Sequence, residues 1–97
     1  MAEGNNISNV LNERRSTHGN FKDNARLTIE LQEIIRSHEN YKNMSYSHKL
    51  SLNMILHKVS RIVCGDHNFL EHIVDIIGYA KRLEEQIESN VDKEKLY

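Results

Sequence analysis

No proline and no tryptophan occur among the 97 residues, cysteine appears once and glycine four times. Without proline, the punctuation of any helix falls to the glycines and to polar turn residues. The lone Cys64 excludes an intramolecular disulfide and a thiolate metal cage, and it reads as a small buried hydrophobe. No apolar run approaches the ~20 residues needed to cross a bilayer, so no membrane partner is expected. Charge of one sign is lacking too. The formal net charge is −1, and residues 1–49 carry seven Lys/Arg against six Asp/Glu. That balance makes nucleic acid an unexpected partner. The first ten residues have neither a basic nor an apolar segment of the kind a signal peptide needs, so a cytoplasmic location is expected.

What is present is helical periodicity, and one domain's worth of it. Hydrophobic residues form 38% of the chain and charged residues 28%, a lean supply for one monomeric core. The pattern predicts an all-α fold: an antiparallel three-helix bundle with a short N-terminal helix, assembled as a homo-oligomer. The short helix is expected over 8–15 with Ser8 as its N-cap, ended by the turn around Gly19. The main helices are expected over 21–38, 47–64 and 68–90, followed by a frayed tail over 91–97. Leu27, Leu31, Ile34 and Ile35 give the stripe of the second helix, with Asn24 and Thr28 beside it. Leu52, Ile55, Leu56, Val59, Ile62 and Val63 give that of the third. Ser47 is its expected N-cap and Gly65 its left-handed stop. In the last helix Leu70, Ile73, Val74, Ile77, Ala80 and Ile87 form the expected core stripe. Phe69, Ile76 and Leu83 widen it on one side. That surplus flank predicts an interface with another copy through Ile76, Leu83 and Met54.

Candidate chemistry gathers on the last two helices. Lys58 and Arg61, three residues apart, are spaced to clamp a phosphate or carboxylate, with Leu50, Met54 and His57 on the same face. Asp75, Tyr79 and Arg82 follow one line of the last helix, with His72 a turn before Asp75. Asp75 sits between apolar neighbours, so it requires a cationic partner, and Lys58 or Arg61 across the hairpin is the candidate. The same residues therefore support either a structural ion pair or a ligand site. Gly78 within a helix costs ~1 kcal/mol relative to alanine, which close helix packing would explain. Glu30 and Glu33 have the spacing at which two carboxylates share a divalent cation, and Glu71 and Asp75 could add ligands. The six histidines have no compact zinc-ligand spacing. No nucleophile motif and no phosphate-binding glycine loop occurs.

The run Glu13-Arg14-Arg15-Ser16-Thr17-His18-Gly19-Asn20-Phe21 with Asn24-Ala25, then Leu52-Asn53-Met54-Ile55, Lys58, Arg61-Ile62, Gly65-Asp66 and Asp75 to Ala80, resembles a family of small phage and prophage proteins of uncharacterised function. The resemblance spans most of residues 10–87 and implies a phage or prophage origin, hence the cytoplasm of a bacterial host. A weaker likeness is to MazG-like nucleotide pyrophosphohydrolases, all-α oligomers that hold magnesium between acidic pairs on neighbouring helices. Glu30 and Glu33 match the first pair of that pattern. At the second, Asp75 matches, but His72 stands three residues earlier and Glu71 is displaced by one, a rotation of about 100° around the helix.

The expected function is thus non-catalytic binding, by a homo-oligomer without a cofactor, of a host protein or a small anionic, nucleotide-like ligand. Lys58, Arg61, Asp75, Tyr79, Arg14 and His18 are its candidate contacts. The alternative is a magnesium-dependent nucleotide hydrolase using Glu30, Glu33, Glu71 and Asp75.

Overall fold

The computed structural model describes residues 2–95, with side chains from residue 7 to residue 90. Four α-helices follow one another: α1 Ala2–His18, α2 Phe21–Arg36, α3 Tyr46–Cys64 and α4 Leu70–Lys95. A single 3₁₀ turn, Tyr41–Asn43, lies between α2 and α3. The described residues contain no strand.

The helix starts follow from local chemistry. Asn20, extended at φ −70° and ψ 132°, caps α2 by accepting from the Lys22 and Asp23 amides. Ser45 does the same for α3, accepting from His48 N–H at 3.1 Å. Each side-chain oxygen satisfies an amide that has no intrahelical partner. The cap of α3 is thus Ser45 rather than Ser47. Between α1 and α2, Gly19 adopts φ +86°, the left-handed region where a side chain is strained. The first helix is not short: it begins before Ser8 and runs unbroken to that glycine. The last helix continues through Lys95, well into the segment 91–97 expected to fray; residues 96 and 97 lie outside the described residues.

Gly65 ends α3 for a different reason from the one expected. Its φ of −116° is not left-handed. Instead the α1–α2 corner presses on it, so that a Cβ on Gly65 would lie 2.4 Å from the Thr17 carbonyl oxygen. The contact is reciprocal, since a Cβ on Gly19 would lie 2.5 Å from the Cys64 carbonyl oxygen. Two glycines therefore let two helical corners meet backbone to backbone.

Helix α3 is the hub, packing most extensively on α4, then on α2, and least on α1. A helix contacted from several sides buries no single stripe. Leu52, Ile55, Leu56, Val59 and Ile62 are each half-buried, and Val63 is exposed. Gly78 has nothing within 4 Å of where a Cβ would stand, so no packing within the chain accounts for it. Among the described residues no hydrophobic side chain is fully buried; the buried positions are Asn24, Thr28, Ser51, Lys58, Ser60 and His72.

The division of α4 is the reverse of the expected one. His72 is buried, and Phe69, Ile76, Tyr79 and Leu83 are half-buried on the same side, whereas Leu70, Ile73, Val74, Ile77, Ala80 and Ile87 are exposed. Ile76, Leu83 and the half-buried Met54 of α3 are therefore not the outward surface of the hairpin. Two directed contacts orient α4. Lys58 Nζ on α3 lies 3.1 Å from Asp75 Oδ2, and His72 Nε2–H donates to the Thr17 carbonyl at 2.8 Å.

Candidate anion-binding cleft

The C-terminal turn of α1 is held over α3 by a chain of polar contacts. Ser60, 0% exposed, donates its hydroxyl to Asn24, whose backbone and side-chain oxygens both lie at 3.1 Å. The Asn24 amide in turn donates to the His18 carbonyl and, at 3.2 Å, to that of Asn20. The Thr17 carbonyl takes two donors, His72 Nε2–H and, at 3.1 Å, the Asp66 amide. The His18 ring meets the His72 ring edge-on, with centroids 4.9 Å apart, and Phe69 stands against both. This network fixes the end of α1 in two directions, towards α3 and towards the start of α4.

That positioning opens a cleft of about 570 Å³ between α1, α2 and α3. Arg14, Arg15 and His18 line it from α1, and His57 and Arg61 from α3. Leu11, Phe21 and Ile29 supply apolar wall, while Asn24 and Thr28 reach it from α2. Among the described residues no carboxylate lines the cleft, and the buried Thr28 hydroxyl has no hydrogen-bond partner among them.

The titratable groups register the convergence of positive charge. Burial first, then Arg61, His72, Arg14 and Lys58, lower the pKa of His18 below its ordinary value. Burial, with Arg61 and Lys58 behind it, lowers that of His57. Arg61 itself is pushed down by burial and by Arg14, against a weaker opposing pull from Asp75. Each direction expresses the same fact: cations here crowd one another in a partly desolvated space.

Of the residues expected to meet a ligand, the structure brings three together, namely Arg14, His18 and Arg61. Lys58 and Asp75 satisfy each other elsewhere. Tyr79 lies on the inner side of α4 with the Arg82 guanidinium 5.7 Å from its ring centre. Lys58 and Arg61 thus diverge, one to α4 and one to the cleft. Arg15, His57 and Thr28 are further lining residues. The adjacency of Arg14 and Arg15 and the i, i+4 spacing of His57 and Arg61 are their sequence signals, but neither shows that the two pairs meet.

The acidic residues make no comparable constellation. Glu30 is paired with Arg26 at 3.2 Å on the exposed side of α2, Glu33 and Glu71 are exposed, and Asp75 is taken by Lys58. Among the described residues no three His, Cys, Asp or Glu side chains are grouped to hold a metal ion. No helix among the described residues is long and apolar enough to cross a membrane. No protein-family model, no curated protein and no solved structure matches the chain.

Proposed function

We propose that this chain is a small phage or prophage accessory protein that acts by non-catalytic binding, working as a homo-oligomer, and that its ligand is a small phosphate-bearing anion. The observation that carries the reading is the cleft lined by three arginines and two histidines, with no carboxylate among the described residues. Guanidinium forks match phosphate oxygens in pairs and remain charged at any physiological pH. Burial first and the neighbouring cations second lower the pKa values of His18 and His57, and an anion would offset the second of these causes. Leu11, Phe21 and Ile29 provide apolar surface for the non-phosphate part of the ligand. A volume of about 570 Å³ lies within the range of small-molecule sites. A nucleotide-like molecule combines these requirements. A host-protein ligand has less in its favour, since the cations line a concave site and not a flat face.

Isothermal titration calorimetry with inorganic pyrophosphate, and then with ATP, tests the proposal. Saturable binding is expected, with ATP the tighter because it adds apolar contact. Arg61→Ala should weaken either by roughly ten- to a hundred-fold, since hydrogen bonds to charged groups contribute ~1.5–3 kcal/mol. Heat no greater than that of a sodium chloride blank for both ligands refutes it.

A further inference from the structure

The described helices leave more surface uncovered than a folded monomer of this size should. A compact chain of 11.4 kDa exposes about 5,800 Å², whereas this one exposes 7584 Å². Its radius of gyration is 17.4 Å, against about 12–13 Å for a compact domain of this length. The surplus is roughly 1,800 Å², more than the ~800 Å² per partner that a stable dimer of standard size removes from water. No hydrophobic side chain is fully buried among the described residues, and those facing inward on α3 and α4 are half-buried, so a second copy would add burial that this chain has little of.

The outer face of α4 shows where. Leu70, Ile73, Ile77, Ala80, Glu84 and Ile87 recur at steps of three, four, three, four and three, the 3.5-residue repeat of a helix that pairs with another helix. Val74 flanks the row. Leu70 is 70% exposed and Ile77 61% exposed, and the row runs for about 25 Å along the helix. The face lies about a quarter-turn around the helix from the one that meets α3: Ile73 and Ile87, on its near side, are 42% and 41% exposed, while Leu70, Val74 and Ile77 are left more open.

From this we infer that two copies of the chain associate along the outer face of α4, with the two helices antiparallel. Glu84, the one charge in the row, decides the orientation. A parallel pair would set it against its own counterpart in the seam. An antiparallel pair sets it opposite Ile73 of the second copy and leaves it free to keep its own partner. Ile77 then meets Ala80 of the second copy at the centre, and Leu70 meets Ile87 of the second copy at either end. The partner of Glu84 is Lys81, at 2.9 Å. The anion cleft lies on α1, α2 and α3, so this seam stands or falls independently of the ligand.

Sedimentation velocity on the full chain at micromolar concentration is expected to show a dimer or a multiple of it; a monomer overturns the inference and leaves the row to a foreign partner. Ile77→Lys should dissociate the assembly, but it could also unfold a chain with so little core. Cysteine trapping avoids that difficulty. In a Cys64→Ser background, the double variant Leu70→Cys/Ile87→Cys should form a disulfide-linked dimer under mild oxidation, while Leu70→Cys alone should not, because the two Leu70 positions lie at opposite ends of the seam. Cross-linking of Leu70→Cys alone overturns the antiparallel arrangement, and failure of the double variant to cross-link overturns the seam.

Discussion

Lys58 Nζ and Asp75 Oδ2 stand 3.1 Å apart across the α3–α4 hairpin, one end of the pair almost wholly buried and the other about half exposed. This is an ion pair that fixes the roll of one helix on another. It also withdraws Lys58 from any ligand. Removing Asp75 leaves a buried ammonium without its counter-charge, whereas replacing Lys58 by an apolar residue of similar length removes the desolvation cost as well. Asp75→Asn is expected to lower stability by ~1–2 kcal/mol, less than the ~3–5 kcal/mol of a fully buried pair because water reaches the carboxylate. Lys58→Met should be close to neutral. Urea denaturation at one fixed protein concentration measures both, since an associating chain has a concentration-dependent midpoint. Neither side chain lines the cleft, so pyrophosphate affinity should shift only through their charges at a distance, falling slightly in Lys58→Met and rising slightly in Asp75→Asn.

Gly19 and Gly65 on one side, and Gly78 on the other, should respond to alanine in opposite senses. Gly19→Ala places a side chain at φ +86° and against the Cys64 carbonyl, and Gly65→Ala drives one into the Thr17 carbonyl. Each is expected to destabilise by more than ~2 kcal/mol, in the range reserved for backbone strain and overpacking. Gly78→Ala meets nothing within 4 Å and should stabilise by up to ~1 kcal/mol through helix propensity. Gly78 lies to one side of the outer row of α4, so the variant should leave the oligomeric state unchanged. Thermal melts followed by circular dichroism distinguish the three.

His72, 1% exposed, holds the Thr17 carbonyl and faces the His18 ring. His72→Phe keeps most of the volume and loses the donor, at an expected ~1–2 kcal/mol. The Thr17 carbonyl would lose one of its two donors and keep the Asp66 amide, so pyrophosphate binding should weaken although residue 72 does not line the cleft. Unaltered affinity in a folded His72→Phe protein would show that the corner does not position the arginines.

pH dependence follows from the lowered pKa values of His18 and His57. Both groups take up protons less readily in the folded chain than in the unfolded one, where the value is near 6.5. Stability is therefore undiminished above pH 6.5 and is lost as pH falls from there through the lowered folded values. A bound anion acts the other way, favouring the imidazolium forms, so anion affinity should rise across that same interval as pH falls. Sulfate, which does not titrate there, is the suitable probe. His18→Asn with His57→Asn should flatten the profile measured by calorimetry, and an equally steep profile in that variant would locate the proton uptake elsewhere.

Much of this protein was determined by its sequence alone. The all-helical class follows from the 3.6-residue spacing of the apolar positions, and Asn20 and Gly19 mark the junction of α1 and α2 by local chemistry. The need of Asp75 for a cation across the hairpin follows from its apolar neighbours, and Lys58 meets it. Helix lengths were less legible, since no proline or glycine precedes Ser8 closely enough to stop α1 and nothing after Ile87 forces α4 to end. Tertiary structure alone decided two things. Helix α4 carries apolar residues on both flanks, so composition does not say which flank meets α3; the Lys58–Asp75 and His72–Thr17 contacts, made across long sequence separations, set its roll. The second is the cleft. Arg14 and Arg15 are separated from Arg61 by the whole of α2 and most of α3, and the contact of two glycine corners, with the polar network beside it, brings those charges, unfavourable to one another until an anion joins them, onto one site.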